Sequence, residues 1–181
     1  MRVSLDLEKA RLNGIAGFIV LALLVVVCVS LSVLLLSNPH KDLHQKIFDM
    51  AGSVRTYYRD QPGYWKLSTQ SAIEDGLVPQ ELQNYKEYDI QIGQGVEGAA
   101  GLPNARTFDI SVKHLNKSVC ISLSELDVSK EQQLALAKIT ILNEKGSAEF
   151  VWGGDLPLPI RKYSAREYCQ PLDNVIIWTF E

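Results

Sequence analysis

The sequence is short of net charge, of histidine and of cysteine, and each shortage removes a class of function. Lys and Arg number 18 against 21 Asp and Glu, leaving a net charge of −3. No basic excess is available to neutralise a phosphate backbone, which argues against nucleic acid as a partner. Three histidines and three cysteines are few for a metal centre, which needs three or four ligands brought together. Disorder is excluded by the opposite observation: 46% of residues are hydrophobic and 22% charged. At 181 residues the chain has room for one ordinary domain and an appendage.

What is plentiful is apolar sequence in one place. From Ile15 through Phe18, Leu24 and Val29 to Leu36 the chain carries no charge, and Ser30 and Ser32 are its polar residues. As a helix this stretch would be about 33 Å long at ~1.5 Å per residue, enough for a hydrocarbon core of about 30 Å. A cleaved secretory signal would have a shorter apolar region and a small-x-small cleavage site; here the run leads into Ser37-Asn38-Pro39-His40. The expectation is one retained transmembrane helix over 15–36. Arg2, Lys9 and Arg11 in the leading stretch 1–14 place the N-terminus in the cytoplasm and residues 37–181 outside.

Beyond Pro39, Leu43, Ile47, Met50, Val54 and Tyr57 recur at helical spacing, with polar residues on the other face. An amphipathic continuation of the membrane helix is therefore expected over 37–60, ahead of a globular domain over 61–181. Asp60-Gln61-Pro62-Gly63 is a turn. A short helix follows, capped by Ser68 or Thr69 and stopped at Gly76, and Pro79 keeps it from resuming. Residues 89–105, rich in Gly and Ala, read as a loop. Phe108, Ile110 and Val112 then alternate with polar residues, a half-buried strand. Val119–Leu123 is another short apolar run, and Ser129 begins a capping-box pattern before a helix around Leu134–Lys138. Lys138–Asn143 and Ala148–Trp152 predict a hairpin, and Asn174–Phe180 a last strand. The order predicts an α+β fold, an antiparallel sheet laid on the amphipathic helix.

Cys28 falls inside the apolar run, leaving Cys120 and Cys169 in the exported part. Those two most simply form one disulfide, with two buried thiols as the alternative. Closing a loop of about 49 residues would stabilise by about 3–4 kcal/mol in the chain-entropy model.

No constellation points to catalysis or a cofactor. Gly93-Gln-Gly95-Val-Glu-Gly98 matches a dinucleotide fingerprint literally, but Gly101-Leu-Pro103 leaves no room for the helix whose N-terminus would hold the pyrophosphate, and Lys113 stands where a ribose-binding acid is needed. His40 and His44 share one helix face without further ligands, and His114 stands beside a strand end. No G-x-S-x-G elbow is present. Asn116-Lys117-Ser118 is a formal glycosylation sequon of little weight. Trp65, Trp152 and Trp178 with Tyr57, Tyr58 and Tyr64 read as core anchors rather than a ligand cage. Neither an enzyme nor a cofactor is expected.

Three stretches, with the N-terminal helix, carry a resemblance: WKLSTQSAIEDGLVPQEL, TFDISVKHLNKSVCISLSEL and SAREYCQPLDNVIIWTF. In order and spacing they resemble type IV pilins, the type IVb subclass most closely. The resemblance implies a long N-terminal helix packed on an antiparallel sheet, a disulfide closing the last segment, and assembly with other pilin subunits or with pilus or secretion assembly proteins. It also implies a prepilin peptidase junction, for which Gly14-Ile15 or Gly17-Phe18 are the candidates. The fifth position of the mature chain would then be Ile19 or Ala22 rather than the family's glutamate. A missing glutamate suits a minor, tip-initiating subunit. It equally suits a single-span accessory or binding protein of the bacterial inner membrane that never enters a filament.

Overall fold

Two periodicities build the observed structure, a helical one followed by alternation. The computed structural model describes residues 24–26, 39–85, 87–95, 106–125 and 134–181. The chain divides into two units, Met1–Pro39 and His40–Glu181. Within the first, Leu24–Val26 are helical and exposed. Among the described residues no helix is long and apolar enough to cross a membrane. The segment expected to do so lies otherwise outside them, as does any continuation of helix through residues 27–38.

Helix α1 (Pro39–Tyr58) buries Leu43, Ile47, Met50 and Val54, as their spacing predicts. Phe48 and Ala51 are buried too and widen the stripe toward one side. That shift carries it to Tyr58, 6% exposed, and not to the expected Tyr57, which is 46% exposed. The opposite face is polar and held by contacts one turn apart, Lys46 to Asp42 at 2.9 Å and Gln45 to Asp49 at 2.7 Å.

Ser68 caps helix α2 (Thr69–Glu74): its hydroxyl accepts from the Ser71 N–H, and the Ser71 hydroxyl accepts from the Ser68 N–H. Gly76, at φ +70°, ends the segment in a left-handed conformation that favours glycine. Pro79 does not simply halt the chain. It opens a further short helix, α3 (Gln80–Gln83), because a residue with fixed φ and no N–H is tolerated at a helix start.

Strands β1 (Asp89–Gln94), β2 (Phe108–Leu115), β3 (Leu136–Asn143), β4 (Gly146–Val151) and β5 (Asn174–Phe180) form one antiparallel sheet in the order β1-β2-β5-β3-β4. Register sets one continuous row across all of it: Ile92, Ile110, Trp178, Ile139 and Phe150. A second row runs Ile90, Val112, Ile176, Ile141 and Ala148. Both rows share a face, since strand side chains alternate. Phe48 of α1 meets this face edge-on, 6.4 Å from Trp178 and 5.7 Å from Phe180. The α+β architecture expected from the sequence is thus the observed one.

In four places the sequence reading differs from the structure or leaves an element unassigned. Residues 89–94 are strand rather than loop, because β1 gains a full ladder with β2 despite its glycine. Val119–Leu123 lie in helix α4 (Lys117–Ser124), nucleated by the Asn116 cap. Of the helix expected around Leu134–Lys138, Leu134 sits in a helical turn and the stretch from Leu136 is strand β3, where pairing with β5 prevails over local propensity; residues 129–133 lie outside the described residues. Helix α5 (Lys162–Tyr168) had no cap signal: Arg161 precedes it without a side-chain bond to the helix.

Candidate functional site

The best-defined constellation lies where β2, β5 and the two later helices meet. The Asn116 side chain accepts from the Val119 N–H at 3.1 Å and starts α4. Its carbonyl group is therefore engaged in capping, which accounts for the sequon residue structurally. One turn on, Cys120 is fully buried, and α5 delivers Cys169, also fully buried. The two are joined as a disulfide with Cα atoms 5.9 Å apart, so the alternative of two thiols is not realised. Beyond Cys169 the chain turns back at Asn174, which is completely buried. Its Nδ2 donates to the Leu115 carbonyl at 2.8 Å and the Gln170 carbonyl at 2.7 Å, and its Oδ1 accepts from the Gln170 N–H at 2.7 Å. One side chain thus ties the end of β2, the start of β5 and the disulfide loop. Asn143 of β3 reaches the same region through the Tyr168 carbonyl at 2.8 Å. On the outside of this junction His114 and Asp173 lie 3.6 Å apart, both exposed and both at positive φ.

The remaining sequence candidates separate cleanly. Gly14, Ile15, Gly17, Phe18, Val29 and Leu36 lie outside the described residues, and Leu24 is helical and exposed. Gly93 sits within β1 and forms a bridge to Ser68. Gly95 donates to the Thr107 carbonyl at 2.9 Å, and a Cβ there would collide with the Thr107 side chain. Close backbone approach is thus what Gly95 serves, whereas a Cβ at Gly93 would meet the Leu67 carbonyl only at ordinary contact distance; Gly98 lies outside the described residues. The ring of His44 packs against Phe48 at 4.5 Å. Among the described residues no group of three His, Cys, Asp or Glu could hold a metal ion.

The aromatics divide. Trp178, Tyr58 and Tyr64 are core anchors, but Trp65 is 64% exposed, and Tyr57 and Trp152 are partly open. The indole of Trp152 donates to the Leu136 carbonyl at 2.7 Å, so its polar end is fixed at the sheet margin. Electrostatics concentrate on tyrosines. Burial pushes Tyr88 up to about 12, helped by its 3.0 Å hydrogen bond to the Glu87 carboxylate. The Asp75 charge raises Tyr57. Burial raises Tyr64, opposed by the Arg55 guanidinium that hydrogen-bonds it.

No protein-family model matches the sequence, and no curated protein matches it significantly. Solved structures do match in fold. A type IV b pilin from Salmonella typhi aligns with a TM-score of 0.52 at 14% identity, over 76% of this chain and 97% of that one. TcpA, a type IV pilin from Vibrio cholerae El Tor biotype, aligns with a TM-score of 0.50 at 12% identity, over 76% and 98% respectively. The chain has a type IV pilin-like fold. Identity this low shows the architecture alone. Within that pilin-like fold, the junction around Asn174 is the part that sequence reasoning passed over. Its signal was available: an asparagine opening an otherwise apolar strand shortly after a cysteine.

Proposed function

We propose that the protein is a non-enzymatic, pilin-like structural subunit of a type IV pilus or related secretion filament, in a minor or tip role. The observation that carries this reading is α1 lying under an antiparallel sheet whose last strand is secured by Cys120–Cys169, in the fold shared with the two pilins. In this reading residues 1–14 form a cytoplasmic leader, 15–36 span the bacterial inner membrane once, and the rest is periplasmic. The apolar helix anchors the subunit in the bilayer and then packs against other subunits, where dispersion and close fit hold helices together. Adhesive or partner contacts lie on the disulfide-closed outer segment. Ile19 or Ala22 at the fifth mature position supports the tip role. A carboxylate buried in lipid is costly unless paired, and the tip subunit is the one that needs no such pair.

The same missing glutamate supports a second reading, a single-span periplasmic accessory or binding protein outside any filament. Mass spectrometry of the mature N-terminus separates the two. Processing after Gly14 or Gly17 with a new amine is the expected result. An intact Met1 on all of the mature protein overturns filament entry and favours the accessory role.

A further inference from the structure

At the C-terminal end of α1 the fold assembles a cleft of about 600 Å³, within the ordinary range for small-ligand sites. Aromatic packing brings its walls together. Tyr58 rests on Tyr64 at 5.3 Å, and Tyr64 on Phe108 at 4.7 Å, which fixes the end of α1 against the start of β2. Phe108 lies opposite Phe180 in the ladder, so the residues just outside these strands, Arg106 and Glu181, reach the same end of the sheet. Arg55 in the last turn of α1, Arg59 one turn on, and Arg106 from beside β2 all line the cleft, with Glu181 as its acid.

Three guanidiniums around one cavity are out of keeping with a chain in which acids outnumber bases. A favourable interaction with the α1 dipole accounts for Arg55 and Arg59. It does not account for Arg106, which lines the same cleft from another element. Among the described residues neither Arg59 nor Arg106 makes an ion pair. Arginine forks match carboxylate and phosphate oxygens bidentately. Tyr58 and Tyr64, both buried, give the cleft a rigid floor.

We propose that this cleft binds a small polyvalent oxyanion carrying carboxylate or phosphate groups, with Arg59 and Arg106 as its open arms and Glu181 as a built-in competitor. The site works whether or not the chain enters a filament. Isothermal titration of the full-length chain in a neutral detergent, with citrate in one arm and pyrophosphate in the other, tests it. Saturable binding of at least one probe is expected, and the stronger probe assigns the group. Arg59→Gln and Arg106→Gln should each weaken binding by about tenfold, Arg59→Lys by less, while Glu181→Gln should tighten it several-fold. Both arginines are exposed, and unchanged near-UV circular dichroism shows that the variants remain folded. The proposal is overturned by the absence of saturable binding of either probe at about 10 mM. It is equally overturned by folded Gln variants that bind as the parent does.

Discussion

Replacing Asn174 by alanine isolates what one buried amide does for the pilin-like fold. The side chain is inaccessible to solvent and makes bonds to Leu115 and to both backbone groups of Gln170. A hydrogen bond contributes about 1 kcal/mol net, and a buried group left without its partner costs ~1–3 kcal/mol. Asn174→Ala should therefore lose about 3–5 kcal/mol, a large share of a stability of typically ~5–15 kcal/mol. Urea unfolding of the full-length chain, with the disulfide intact and tryptophan emission as the probe, reads this as a lower midpoint at unchanged slope. Asn174→Asp sharpens the test. It preserves the acceptor for the Gln170 N–H but turns carboxylate oxygens toward the Leu115 and Gln170 carbonyls. The protonated acid can donate to one of them, so folding raises this group's pKa above its unfolded value. The stability of this variant should be greatest below pH ~4 and fall as pH rises through the folded pKa. A loss under about 1 kcal/mol for alanine, or an aspartate variant insensitive to pH, would refute the idea that the amide ties the three segments together.

Two further outcomes are expected. Replacing Cys120 and Cys169 together by serine should lower stability by about 2–4 kcal/mol, mostly by freeing the unfolded chain; the parent in reductant should shift equally, and a shift in neither would contradict the clamp. Because Tyr88 titrates near 12 in the folded state against about 10 when unfolded, its contribution is intact below pH ~10 and vanishes as pH rises toward 12. Tyr88→Phe should flatten that part of the alkaline stability profile, and a phenolate absorbance titration showing every tyrosine ionised by pH ~10.5 would disprove it.

Where the sequence speaks through periodicity, the structure follows it. Leu43, Ile47, Met50 and Val54 mark the buried face of α1, Ser68 its cap signal for α2, and Phe108 to Val112 the alternation of β2. Where one pattern serves two masters, reading fails. Val119 to Leu123 has the composition of a strand, and the Asn116 cap that makes it a helix is hidden inside a sequon. The glycines of residues 93–95 resemble loop chemistry, yet Gly93 lies within β1 and at Gly95 the Thr107 side chain comes too close for a Cβ. Leu134 to Lys138 has helical composition, but the ladder with β5 takes it from Leu136 onward. The arginine cleft is invisible in one dimension: Arg106 is far in sequence from Arg55 and Arg59 and joins them only through the Tyr58–Tyr64–Phe108 stack. The asparagine junction was half legible, since two cysteines outside the apolar run point to one disulfide, whereas the three bonds of the Asn174 amide depend on which backbone groups the fold brings beside it.

Strand β5 is the last of the five in chain order and yet the middle of the sheet, with β2 on one side and β3 on the other. Until it arrives, the earlier strands exist as two separate hairpins, each with an unpaired rim and an oily face. A chain still being synthesised therefore cannot complete its scaffold before β5 is made. Closure waits for the final residues, and a product truncated before them would present raw edges to whatever lies nearby.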